Sequence, residues 1–379
     1  MKKLFVLALA LGLAIAMAAP AFAAVKISGD LRQVVSWTWE DKYWNYNRSG
    51  VQNELFRVAD MTNGYSRIKV NYQSDDKKYI AYYELGTESK GYTNTNRVRT
   101  RHAYFEYNWG KGNILFGQTG SIKSKYGPVQ WLNDLNGFIG YGWHYYDRYE
   151  QIRLTMGDKY KFQFAIERPA YARTWQGAIA YNTQANPWPM GTTYAILPAM
   201  SAAGTLNFGN VEVVPWVGWE WIMGQNVAGT AASPKDDSFH SLDGGVAING
   251  EFGIFGFTVA GFAGYNPKWS QAGSMASALA RPSLGTDGKI KDNVTGWGGY
   301  VDVRVAGLEA GLGYSQKTRS GWKKDPYTYA AFINYTIPFG MISFVPEIAY
   351  FNNGKADFGS GETDYGQAIF AGVLCRMKF

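Results

Sequence analysis

The 379 residues include 37 Lys and Arg against 30 Asp and Glu, and this formal charge of +7 is scattered without a basic block, which excludes an electrostatic nucleic-acid binder. One cysteine, Cys375, excludes an intrachain disulfide, and three separated histidines (His102, His144, His240) supply no metal-ligand spacing, so neither a staple nor a cofactor is expected. Aromatic residues reach 16%, glycines number 45 and helix-forming tracts are scarce, a balance that points to an all-β chain.

The first element is a targeting segment. Lys2 and Lys3 precede an apolar run from Leu4 to Ala19, and Pro20 then leads into Ala21-Phe22-Ala23, a small-x-small cleavage pattern. Residues 1–23 are read as a removed signal peptide, because the run is shorter than the roughly 18 apolar residues of a spanning helix and a polar strand-like segment follows at once. Ala24 rather than a cysteine follows the cut, which argues against a lipoprotein. Residues 24–379 form the mature domain, and no later run has 18 apolar residues.

From residue 25 onward the chain alternates apolar and polar residues in segments of about ten, the length with which a tilted strand crosses a bilayer. Val25, Ile27, Leu31, Val35 and Trp37 share one face while Lys26, Ser28, Asp30 and Arg32 share the other. Ile68, Val70 and Tyr72 likewise oppose Arg67, Lys69, Asn71 and Gln73, and Phe162, Phe164 and Ile166 oppose Lys161, Gln163 and Glu167. Val301, Val303 and Val305 oppose Tyr300, Asp302 and Arg304.

Such segments are expected at 25–39, 64–74, 78–87, 98–109, 112–120, 148–157, 160–168, 193–207, 211–222, 241–252, 254–266, 295–306, 308–318, 327–337, 341–352 and 366–379. They make sixteen strands, an even count as single-chain bacterial barrels require. A competing segment at 173–181 would shift the eighth strand. Seven connections are tight and rich in Gly, Asn, Asp or Pro; the others, including 121–147, are mostly long and polar. Sixteen antiparallel strands with both termini on the periplasmic side would produce this pattern. A soluble sandwich also alternates, but its dry core would not take so many charges on the inward face, nor would aromatics gather at strand ends as in Trp37/Trp39, Tyr107/Trp109 and Trp219/Trp221.

Three stretches carry a family resemblance. The chain ends on Ile369, Ala371, Val373, Cys375, Met377 and Phe379 in one parity, and resembles the closing strand of bacterial outer-membrane barrels, which the barrel-assembly machinery reads. Phe379 is the terminal aromatic of that signal; Met377 departs from it, standing where the family more often has an aromatic residue. Residues Arg101–Thr119, with an Arg-x-Ala-Tyr opening and a Gly-rich turn, resemble the fourth and fifth strands of the general trimeric porins, and Arg148–Leu154 resembles the sixth. The resemblance implies a homotrimer of 16-stranded antiparallel transmembrane β-barrels with short periplasmic turns, long extracellular loops and a third loop folded into the lumen. It further implies contacts with outer-membrane lipid and lipopolysaccharide.

The expected function is a water-filled outer-membrane channel for passive diffusion of small hydrophilic solutes and ions. A substrate-selective channel for a sugar, phosphate or another nutrient is the alternative. Selectivity would come from charges at the narrowest point. Arg32, Arg67, Lys69 and Arg153 are expected to point inward near mid-depth, and the 121–147 loop adds Lys123, Lys125 and one central acid, Asp134. A basic wall facing an acid-poor loop predicts weak anion preference. Each of these charges also reads as a plain solvated wall residue. Trp131, Trp143 and Tyr145 have two readings, a stacking surface for sugars or simple loop and interface packing. Parity with Ala103, Phe105 and Tyr107 places Arg99 and Arg101 outward, toward lipopolysaccharide or a neighbouring subunit. An enzyme is not expected: His102 faces inward near Tyr104 and Glu106 without a Gly-x-Ser-x-Gly elbow.

Overall fold

The computed structural model describes residues 24–41, 43, 53–60, 66–90, 95–123, 125–127, 140–143, 148–169, 191–195, 197–226, 237–266, 283–284, 290–357 and 361–379. Residues 1–23, the expected signal segment, and the competing 173–181 segment lie outside them.

Alternation with period two lets each strand present one face to each side of a sheet. Here the sheet closes on itself into sixteen antiparallel strands. They are β1 (Ala24–Glu40), β2 (Asn53–Asp60 and Arg67–Gln73), β3 (Tyr79–Lys90), β4 (Thr95–Asn108), β5 (Gly112–Gly120), β6 (Arg148–Met156), β7 (Tyr160–Glu167) and β8 (Gly191–Ala195 and Ala199–Phe208). The second half comprises β9 (Val211–Asn226), β10 (Asp237–Phe252), β11 (Phe255–Tyr265), β12 (Val294–Val305), β13 (Leu308–Arg319), β14 (Tyr327–Tyr335 and Ile337–Phe339), β15 (Ile342–Asn352) and β16 (Gln367–Lys378).

Two boundaries differ from expectation. The second strand was expected only over 64–74, yet Asn53–Asp60 also pairs with β1, so that part of the long 40–63 connection continues the barrel wall. The polar, Gly-containing sequence at 61–66 breaks the periodicity by which a strand is recognised. The eighth strand is likewise divided, its first part pairing with β9 and its second with both β7 and β9.

Burial follows the expected parity. Ile27, Leu31, Val35 and Trp37 are exposed on the outside, while Asp30, Arg32, Ser36, Thr38 and Glu40 are buried on the inside. The same outward exposure holds for Ile68, Phe162, Phe164, Ile166, Val301, Val303 and Val305. An exposed apolar outer belt, around an interior that holds charged groups together with a buried apolar cluster of Tyr141, Phe332, Phe351, Phe370 and Leu374, is stable only where hydrocarbon replaces water outside.

Closure removes the edges on which an open sheet would aggregate. β1 pairs with β16 from Asp30↔Lys378 to Glu40↔Ala368, and Gly29 and Phe379 exchange backbone hydrogen bonds of 2.7 and 3.2 Å. On the inner face of this seam, Asp30 accepts two guanidinium forks. Arg32 donates to it at 3.1 and 2.6 Å, and Arg376 at 3.0 and 2.7 Å. Paired N–H donors on a carboxylate are the strong, geometrically specific kind of ion pair. Asp30→Asn should therefore weaken the seam by about 2–4 kcal/mol, because two inward guanidinium groups lose their counter-charge. The check is the temperature at which the folded barrel converts to its slower-migrating unfolded form on a gel, which should fall; an unchanged temperature would mean that backbone pairing alone holds the seam.

Candidate functional site: the lumen

Parity aims the basic side chains of β1 and β2 inward, and the acids available to them are few. Arg67 Nε lies 3.6 Å and Lys69 Nζ 3.9 Å from Glu84 of β3, while Arg32 shares Asp30 with Arg376. Arg101 joins them, its Nε donating to Glu84 Oε1 at 2.8 Å with the residue 5% exposed.

This corrects the outward placement of Arg101. Glu84 pairs with His102 but Leu85 pairs with Thr100, so Arg101 is the extra residue of a β-bulge. One inserted residue reverses the facing of everything beyond it, and a parity count run from Tyr107 upward fails at that point. Arg99 then pairs with Gly86, two residues along from the lumen-facing Glu84. The outcome is a wall on which Arg32, Arg67, Lys69, Arg101 and Arg376 share two carboxylates, Asp30 and Glu84. Arg148 at the start of β6 lies near enough to repel the charges of Arg67 and Arg101. Arg376 was legible on the inward parity of the last strand; Arg101 was not.

Acids lie on the far wall, and the described ends of the 121–147 connection reach it. Ser121 Oγ donates to both Glu167 oxygens at 3.0 Å, Lys123 Nζ lies 3.8 Å from Asp243 Oδ1, and Lys125 Nζ lies 2.5 Å from Glu212 Oε1. Tyr126 donates its hydroxyl to the same Glu212 oxygen. At the other end Tyr141 donates to Asn353 Oδ1 at 2.6 Å and stacks edge-on against Phe351, and Thr328 donates its hydroxyl to the Gly140 carbonyl. The described beginning of the connection thus touches the inner face of β7, β9 and β10, and its described residues 140–143 meet β14 and the end of β15.

Lys123 was expected as a solvent-facing pore charge. Its side chain is only 2% exposed, and although burial opposes its charge, the carboxylates of Asp243, Glu167 and Glu220 hold its pKa above the usual lysine value. It fits because the wall residue opposite is Gly218, where a Cβ would come within 2.5 Å of Lys123 Cδ. Lys125 remains partly exposed, and Trp143 is half-buried where its ring meets Gly127. Asp134, Trp131, Tyr145 and His144 lie outside the described residues.

Arg153 of β6 also faces inward, near Tyr104, Glu106 and Glu167, and among the described residues it has no carboxylate at ion-pair distance. His102 Nδ1 hydrogen bonds Thr119 Oγ1 at 2.9 Å and its ring meets Tyr82 edge-on at 5.9 Å. Met377 pairs across the seam with Leu31, and Phe379 is half-exposed at its end. Among the described residues no group of His, Cys, Asp and Glu could hold a metal ion.

The sequence matches no protein-family model and no curated protein. Solved structures do match. The outer membrane channel DcaP of Acinetobacter baumannii superposes with a TM-score of 0.66 at 17% identity, covering 95% of this chain and 99% of that one. OmpT of Vibrio cholerae in its trimer form gives 0.55 at 11% identity over 94% and 99% of the two chains, and Salmonella typhi OmpF, in complex with daunomycin, gives 0.54 at 10% over 94% and 97%. The chain has the fold of the bacterial outer-membrane porins.

A barrel of sixteen strands is too wide for its wall side chains alone to fill. In this porin fold Arg32, Arg67, Lys69, Arg101 and Arg153 line β1 to β6 beside Asp30 and Glu84, β7 to β10 carry Glu167, Glu212, Glu220 and Asp243, and β12 pairs Arg304 with Asp302. The loop lysines Lys123 and Lys125 sit on the acidic side, at Asp243 and Glu212.

Proposed function

We propose that the chain, after removal of residues 1–23, works in the outer membrane as a water-filled channel for passive diffusion of small hydrophilic solutes and ions, with a weak preference for anions. The observation that carries this reading is the imbalance on the inner wall, where five basic side chains gather on Asp30 and Glu84 while the acids opposite are engaged by Lys123 and Lys125. An anion entering a narrow wet passage meets a positive potential on one side and little free negative charge on the other. Passage needs no moving part. Lys123 is assigned a structural role, and Arg32, Arg67, Lys69, Arg153 and Lys125 the selective one.

Assembly as a homotrimer, contacts with lipopolysaccharide, and recognition of Phe379 and Met377 by the barrel-assembly machinery belong to the same proposal. The porin fold and the trimer form of OmpT support the first of these. A channel and not a hydrolase is proposed because His102 is engaged by Thr119 and Tyr82 on the wall.

The test is reversal potential in planar bilayers under a tenfold KCl gradient. The expected result is a chloride-to-potassium permeability ratio above one that grows at lower salt, since screening over about 10 Å at 0.1 M blunts the wall charges. Clear cation selectivity would overturn the reading.

A further inference from the structure

Beside the arginine wall lies a set of lumen-facing groups that ion selectivity alone does not use. Register places Tyr82 of β3 against Tyr104 of β4, Tyr104 against Gly117 of β5, and Gly117 against Gln151 of β6. The two tyrosine rings are 5.4 Å apart and tilted by 31°, and both are half-buried on the inner wall. Gly117 has φ of +132°, a conformation side chains rarely adopt, so this position in the row is bare. Two interstrand spacings of about 4.8 Å then separate Tyr104 from Gln151, a gap that one flat ring spans.

The gap is bordered by polar atoms without partners. Gln151 is 5% exposed; its Nε2 donates to the Thr119 and Gly120 carbonyls at 3.0 and 3.2 Å, while its Oε1 has no hydrogen-bond partner. Arg153, one row further along β6, has a buried Nε that is equally unpartnered. Buried polar atoms are rarely left unpaired, and those that are often mark a ligand or an ordered water. Arg101 bounds the same patch on the other side.

We propose that the inner wall of β3 to β6 is a subsite for a monocyclic aromatic carboxylate, whose ring lies against Tyr82 and Tyr104 and whose carboxylate is taken by Arg153. A guanidinium fork suits a planar carboxylate, and tyrosine faces favour offset stacking by another ring. This rests on the anion-preferring reading, and it moves the protein toward the substrate-selective class of channel.

The experiment is block of single-channel current in planar bilayers by benzoate, compared with cyclohexanecarboxylate and benzyl alcohol at equal concentration. Saturable block by benzoate, at least tenfold tighter than by the other two, is expected. Tyr104→Leu should weaken benzoate block about tenfold, the equivalent of a stacking contact of about 1.4 kcal/mol, whereas Tyr104→Phe should keep it. Arg153→Gln should weaken block by benzoate and leave block by benzyl alcohol as it was. Each variant's heat-modifiable migration on a gel, equal to that of the parent, shows that the barrel has formed. Equal block by benzoate and cyclohexanecarboxylate, with anion selectivity intact, overturns the aromatic subsite alone. Cation selectivity of the parent channel overturns the reading on which it rests, whatever the blockers do.

Discussion

Replacing Arg67, Arg101 and Arg148 together by glutamine is expected to lower the chloride-to-potassium permeability ratio about tenfold and to bring the channel to neutrality or slight cation preference. A unit charge about 8 Å from a permeating ion in water contributes about 0.5 kcal/mol, so three contribute about 1.5 kcal/mol, and 1.4 kcal/mol is a factor of ten. These three are chosen because they lie within electrostatic reach of one another, and among the described residues Arg67 and Arg101 share Glu84 with Lys69 as their ion-pair partner. Removing Arg32 or Arg376 instead would disturb the seam pair at Asp30 and confuse selectivity with assembly. Reversal potentials at two salt concentrations are the measurement. A ratio unchanged at both would place the selective charge elsewhere in the lumen.

Lys123→Met is expected to loosen the inward connection, raising single-channel conductance and adding current noise. The substitution keeps the length of the side chain and removes the ammonium that Asp243, Glu167 and Glu220 surround, and breaking a buried pair from one side costs about 3–5 kcal/mol. The neighbouring contact between Lys125 and Glu212 is partly exposed, and such pairs contribute about 1 kcal/mol or less, too little to hold the segment by itself. Combining Lys123→Met with Asp243→Asn should restore quiet current in part, since the orphaned acid is then removed as well. A lone Lys123→Met channel with parental conductance and noise would show that Tyr141, Thr328 and Asn353 anchor the connection without help from its beginning.

Much of the barrel was legible in the chain because a strand between lipid and water must alternate, and the alternation survives in a single sequence. The outward set from Ile27 to Trp37, the inward Arg32, Arg67 and Lys69, and the closing strand ending in Phe379 all follow from counting by twos. The Asn53–Asp60 part of β2 was not legible, since a short piece beside the polar run at 61–66 reads as loop until β1 pairs with it and with Arg67–Gln73. Arg101 failed for a sharper reason. A bulge adds one residue without any mark in local composition, yet it exchanges the two faces beyond it.

The sequence by itself determined that this protein is a closed, lipid-facing barrel with a charged interior, because each strand must place its apolar face outward whatever its neighbours are. Only the tertiary structure decided which charges meet which. Lys123 and Arg101 are both basic residues near the same strands, but one is spent on a buried acid across the lumen and the other is turned onto the wall by a bulge. Pairing between side chains 17 to 120 positions apart depends on register and loop path, which no local pattern encodes.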